Sequence, residues 1–232
     1  VLPLVQAQIE SLVEHAYDSI YPGSKPKAQA AATELIQQIR LLETERRQRQ
    51  GENIPPLVDT PLMVRLLLIV HFNDRKLPDQ RADLYQRAVD VMLKPDYHPE
   101  AKVMDEIEHR MGGSLEINRE MLQHLAYHMH NRGEDTGREI EEKYLRAVLE
   151  AEPTYAPFVD KLIKQTCERG TLLEERGGMY RFIHLSFQEF LVARYLAQNY
   201  PDANTLATYL EAGPISASWW REPILLLVGF LD

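Results

Sequence analysis

One hairpin signal stands in a chain otherwise patterned for helices, and it constrains the fold more than any other feature. Arg176-Gly177-Gly178 separates the short run Gly170-Thr171-Leu172-Leu173-Glu174 from the run Met179-Tyr180-Arg181-Phe182-Ile183. Paired glycines supply the positive φ angles that a two-residue hairpin turn requires. Before the hairpin, residues 118–132 place Met121, Leu122, Leu125, Ala126 and Met129 at helical spacing. Residues 138–149 and 156–168 read as two further helices, and 187–198 as a strong one after the hairpin. Three helices followed by a hairpin is a winged-helix layout.

The chain upstream is helical throughout. Ile9, Leu12, Val13, Ala16 and Ile20 lie at helical spacing within residues 4–21, and Pro22-Gly23-Ser24 breaks that helix. A second helix is expected over 27–50, with a polar end from residue 43 that projects into solvent. Asp59-Thr60-Pro61-Leu62 is a helix start, a capping residue followed by proline at the first helical position. The helix over 62–72 is apolar on most faces and so should be central, and an amphipathic helix follows over 81–93. Residues 94–113 are polar and irregular, a connector. The expected class is mainly α: a helical domain over 1–113, a winged-helix domain with one short β-hairpin over 114–199, and the start of a following helical domain over 200–232. The chain opens on Val1 and stops within an apolar pattern, which reads as a fragment at both ends.

Several functions are argued against directly. The net charge of −9 opposes general nucleic-acid binding, which needs a basic face to displace counterions. The single cysteine, Cys167, can form neither an internal disulfide nor a cysteine zinc cluster; it reads as a small buried residue and suits a reducing cytoplasm. No apolar run reaches the length of a membrane span, and the N-terminus has no signal-peptide pattern. No glycine-rich loop ends in Gly-Lys-Ser or Gly-Lys-Thr, and no apolar strand ends in paired acids for magnesium. His124 and His128 share a helix face and His130 lies close by, but no third ligand is obvious, so no metal site is assigned. No catalytic residue is assigned either, and the chain alone is expected to be inactive as an ATPase.

The string from Tyr180 to Arg194 is unusual. Phe182, Phe187 and Phe190 are read as core, and His184 falls where strand gives way to helix. A helix start offers free amides and a positive dipole end to an anion, and a histidine there can donate to a phosphate. Spacing alone favours a plain capping role for His184.

Phe182-x-His184-x-x-Phe187-Gln188-Glu189-Phe190-x-x-Ala193 resembles the winged-helix signature of the NACHT family, within the STAND class of signalling ATPases. Thr60-Pro61-Leu62-Met63-Val64-Arg65-Leu66-Leu67 is similar to that family's Asn-Pro-Leu segment, with Thr60 in place of the more usual Asn. Leu77-Pro78 through Arg81, Leu84, Tyr85 and Val89 resembles the helix that comes next. Val1-Leu2-Pro3-Leu4 with Gln8-Ile9, and Trp219-Trp220-Arg221-Glu222-Pro223-Ile224-Leu225-Leu226, match the flanking regions more weakly. The resemblance implies that His184 reaches the β-phosphate of bound ADP and that Pro61 packs against the adenine. It implies that ADP or ATP, with magnesium, is held chiefly by a nucleotide-binding core ahead of Val1. It further implies a closed state that opens on ATP exchange, self-oligomerisation, slow ATP hydrolysis by the full-length protein, and a setting in innate immunity. The alternative reading is a DNA-binding winged helix of a transcription regulator. Against it, the helix before the hairpin carries Lys161, Lys164 and Arg169 beside Asp160 and Glu168, and the hairpin tip is acidic at Glu174-Glu175.

Overall fold

The computed structural model describes residues 3–50, 56–94, 115–167, 172–200 and 202–230. Most of the expected connector over 94–113, the loop start at 51–55, and Gly170 and Thr171 lie outside the described residues. Two compact units are present, and the division falls within the last turn of the fourth helix, after Val91.

The first unit is built on α1 (Gln6–Ile20), α2 (Lys25–Gln50), α3 (Pro61–Asp74) and most of α4 (Arg81–Leu93). α1 buries Ile9, Val13 and Tyr17, and α2 answers with Ala28, Ala31, Ala32, Leu35 and Ile39. Small alanines at the first turns of α2 let α1 approach closely. α3 buries Met63, Val64, Leu66, Leu67, Ile69, Val70 and His71, as its apolar faces predict. Thr60 caps it, its side chain accepting from the Met63 N–H at 3.2 Å, and Pro61 takes the first helical position.

The second unit starts with α5 (Leu115–His130), β1 (Ile140–Glu141), α6 (Glu142–Glu150) and a 3₁₀ turn at Ala156–Phe158. α7 (Val159–Cys167), β2 (Leu173–Arg176), β3 (Met179–Phe182) and α8 (Leu185–Asn199) complete the winged helix. α9 (Ala203–Glu211) and α10 (Arg221–Val228) follow within the same unit. The sheet order is β1-β3-β2, all antiparallel. Phe182 faces Leu173, Tyr180 faces Glu175, and the turn between β2 and β3 is made by Gly177 (φ +61°) and Gly178 (φ +82°). Positive φ at both central residues is the turn that matches strand twist, which is why two glycines stand there. α5 and α8 form the largest helix pair, burying Met121, Leu122, Leu125, Ala126 and Met129 against Phe187, Phe190, Leu191 and Leu196.

Two elements differ from the sequence reading. The helix expected over 138–149 starts only at Glu142, because Ile140 and Glu141 pair with Tyr180 and Met179 as a third strand. The turn before that strand is closed by Gly137, whose N–H donates to Gly133 O at 2.8 Å. A Cβ on Gly137 would lie 2.4 Å from Met129 O and 2.6 Å from Gly133 O. The helical pattern of 138–149 is real but shorter, and two extended residues leave no periodicity to detect. The helix expected from residue 156 begins as a 3₁₀ turn containing Pro157, and the α-helix proper starts at Val159.

Candidate functional site

His184 stands between β3 and α8. The Ile183 N–H donates to Leu172 O at 3.0 Å, which carries the hairpin ladder up to the junction. His184 itself is extended (φ −149°, ψ 139°) and is the N-cap of α8, a helix of 15 residues. Its carbonyl accepts from the Phe187 N–H at 3.0 Å, while its ring Nδ1 accepts from the Ser186 N–H at 3.1 Å. A backbone N–H can only donate, so Nδ1 is an acceptor and the proton of the neutral ring sits on Nε2. The side chain is exposed, and the crowding it does experience pulls its pKa below the ordinary histidine value. At neutral pH the residue is therefore an uncharged imidazole whose Nε2–H donor meets no partner among the described residues, at the positive end of a helix dipole. The next residues lock that start in place: Phe187, Gln188, Glu189, Phe190, Leu191, Val192 and Ala193 are all buried.

Pro61 lies in the first unit and is exposed at the N-terminus of α3. The segment that delivers it is tied down from two sides. The Leu4 N–H donates to Asp59 O at 2.8 Å, and Glu43 accepts from the Val58 N–H at 3.3 Å and from the Leu57 N–H. A cavity of about 460 Å³ opens beside this segment, lined by Leu4, Ile9, Ile39, Pro56 and Val58 and equally by polar side chains, among them Arg40, Glu43 and Arg47. One carboxylate oxygen of Asp59 is buried with no hydrogen-bond partner among the described residues. Pro61 and His184 belong to different units, and each site is defined within its own.

The histidines near the end of α5 divide. His124 and His128 are half-buried with ring centroids 4.4 Å apart, packed among Tyr127, Tyr155 and Tyr195. Among the described residues no group of three or more His, Cys, Asp or Glu is arranged to hold a metal ion. His130 is fully buried, and its ring stacks on Trp219 at 4.3 Å with the edge of Trp220 against it at 4.7 Å. Burial drives its pKa down to about 4.

Glu189 is the ionisable group that sequence reading passed over. It is buried one turn into α8, and its pKa is pushed up to about 7 by burial first and by Glu222 second, against the pull of Arg138 and Ser186. The string Phe187-Gln188-Glu189-Phe190 held the signal, since an acid flanked by core aromatics cannot reach solvent freely.

The chain matches, over residues 81–196, the family model described as a winged helix-turn-helix domain C-terminal to NACHT. The match begins with α4 and ends at Leu196, inside α8, so it takes in the sheet and His184. No curated protein and no solved structure matches the chain. Among the described residues no helix is long and apolar enough to cross a membrane. With half of its length matched and the helix-strand-helix-helix-hairpin order in place, the chain belongs to the winged helix-turn-helix family that follows NACHT domains.

Proposed function

We propose that this chain is the regulatory half of a nucleotide-dependent signalling switch. In this reading a nucleotide-binding core encoded ahead of Val1 holds ADP or ATP with magnesium. His184 donates from Nε2 to the β-phosphate of ADP, Pro61 packs against the adenine, and the closed state so held is inactive. Exchange for ATP moves the phosphates, removes the donor's best acceptor and frees the winged helix, after which copies of the protein associate. A ligand shifts such an equilibrium only by its different affinity for the two states, and the histidine supplies that difference.

The observation that carries the reading is the fixed tautomer of His184. Its Nδ1 is occupied by the Ser186 N–H, so the ring presents one donor and no competing acceptor to an anion. Pro61 stands exposed at the N-terminus of α3, open to a base, which supports the second contact. The family match supplies the association with NACHT.

The DNA-binding alternative is opposed by ion pairing on α6 and on the hairpin. Arg146 is held by Glu142 at 2.7 Å, Asp160 at 2.8 Å and Glu150 at 3.4 Å. On the hairpin, Arg176 lies 3.4 Å from Glu174, and Arg181 pairs with the same carboxylate. These pairs and the net charge of −9 oppose the basic face that displaces counterions from a duplex.

The test is ADP affinity and oligomer size of the full-length protein, wild type against His184→Ala. A hydrogen bond to a charged group contributes about 1.5–3 kcal/mol, so ADP should bind roughly ten- to a hundred-fold more weakly and the oligomer should form more readily under ATP. Unchanged affinity and an unchanged monomer under ATP would make His184 a helix cap and nothing more.

A further inference from the structure

The histidine pair on α5 takes no part in the nucleotide reading, yet its chemistry is that of a ligand. His124 and His128 are four residues apart and so lie on one face of the helix, one turn from each other. Both are half-buried, and their ring centroids are 4.4 Å apart with the planes inclined by 50°. Two nitrogens bound to one ion at about 2.0–2.1 Å stand about 3 Å from each other. Rings already this close reach that spacing by small side-chain rotations.

The surroundings orient the pair. The His124 ring donates to the carbonyl of Val148 in α6, so one nitrogen carries the proton and the other keeps its lone pair. A ring N–H anchored on a backbone carbonyl is the arrangement that aims a metal-binding histidine. Tyr155 meets the His124 ring nearly edge-on at 5.6 Å, with Tyr195 5.9 Å away, and Tyr127 meets His128 edge-on at 5.6 Å. Tyr127 and Tyr195 stack on each other at 4.2 Å, which joins the wall from α5 to α8. Rings walled in this way have little rotamer freedom left to lose on binding.

The turn after α6 brings a carboxylate towards them. The Glu152 N–H donates to Leu149 O at 3.4 Å, and the Glu152 carbonyl accepts from the N–H groups of Tyr155 and Ala156 at 2.9 and 3.1 Å. The exposed Glu152 side chain acts electrostatically on both histidines. It does not complete a three-ligand group with them, so its part is to attract a cation rather than to bind it. Burial lowers the pKa of both rings, and His128 lowers that of His124 further, which keeps the lone pairs available near neutral pH.

We propose that His124 and His128 clamp one divalent transition-metal ion between them, with water in the remaining coordination positions and the Glu152 carboxylate favouring the cation from outside. Imidazole suits copper, nickel and zinc, with Cu²⁺ held most tightly, whereas Mg²⁺ and Ca²⁺ take oxygen ligands. The clamp joins two turns of α5, the helix that pairs with α8 in the core, so the ion stabilises the folded winged helix by mass action. This inference stands apart from the nucleotide reading, since it involves neither His184 nor Pro61.

The experiment titrates Cu²⁺ into the full chain, wild type against His124→Gln and His128→Gln, by calorimetry and by electron paramagnetic resonance of the bound copper. The wild type should show a saturable one-to-one site with two nitrogen ligands. Each variant should weaken that site by at least about tenfold, since even the outer partners of metal ligands contribute on that scale, and should reduce the nitrogens to one. A second measurement needs only the wild type: carbethoxylation of histidines mapped by mass spectrometry, with and without Zn²⁺. Zn²⁺ should protect His124 and His128 together, while the exposed His15 reacts equally in both states. The absence of a saturable site, unchanged affinity in either variant, or labelling of His124 and His128 that ignores Zn²⁺ would overturn the proposal. Should the variants fail to fold, the protection measurement decides alone.

Discussion

Two histidines of the same unit, His130 at the end of α5 and His184 at the start of α8, show how burial divides a structural residue from an available one. Both are neutral-favouring, both carry the proton on Nε2, and both are within one turn of a helix end. At His130 the protein uses both ring nitrogens, on Trp219 O and Gln188, and packs the buried ring against Trp219 and Trp220. At His184 it uses one nitrogen, on the Ser186 N–H, and leaves the other facing outward. A fully satisfied imidazole holds the protein together; a half-satisfied one has something left to give a ligand. The residue types are identical, so burial and the count of occupied nitrogens separate the roles.

The comparison breaks most visibly at His130. His130→Ala removes a fully buried ring, leaves a cavity beside Trp219 and strands one N–H of Gln188. It should destabilise the second unit by about 3–4 kcal/mol, the combined scale of a core truncation and an orphaned polar group. Urea unfolding followed by tryptophan fluorescence measures this, since Trp219 and Trp220 are the only tryptophans and both lie in the second unit. A loss below about 1 kcal/mol would mean the ring is not structural.

A smaller effect separates His130 from its neighbour Glu189 by pH. The folded pKa of His130 is depressed to about 4, so its contribution is complete above about 6.5 and lost as pH falls toward 4. His124, His128 and His184 are shifted in the same direction. The folded pKa of Glu189 is raised to about 7, so its contribution is complete below about 4.3 and lost as pH rises through 7. The two slopes oppose each other across mildly acid pH and flatten the wild-type profile. Glu189→Gln removes one of them. It should stabilise the unit by about 1–2 kcal/mol at pH 7 and leave a steeper loss between pH 6.5 and 4. Parallel profiles for wild type and variant would show that Glu189 is ionised in the folded protein.

The smallest expected effect sharpens the contrast from the other side. His184→Ala deletes one exposed cap, and caps contribute about 1 kcal/mol or less when the replaced residue is a weak one. Stability should fall by less than about 1 kcal/mol. A loss as large as that of His130→Ala would place His184 in the core and remove the reason to assign it a ligand.

What the sequence by itself determined is what neighbouring residues decide. Thr60-Pro61 starts α3 because a hydroxyl three residues before a free amide and a proline at the first helical position act within one turn. Gly177-Gly178 makes the hairpin because the turn needs positive φ at both residues. His184 lands at the junction because apolar patterns of different period lie on either side of it, and the family resemblance read from that string is borne out by the match over residues 81–196. Tertiary structure decided the rest. β1 exists because Ile140 finds Tyr180 across the sheet, and no two-residue stretch announces such pairing. His130 is enclosed because Trp219, 89 residues later, stacks on it, and the Glu189 pKa is raised because burial in α8 and the charge of Glu222 of α10 both disfavour its ionised form. The physical reason is common to all three: solvation and pairing energies depend on which groups meet in space. Residues far apart in the chain set them, whereas caps and turns are settled by torsion angles a few residues wide.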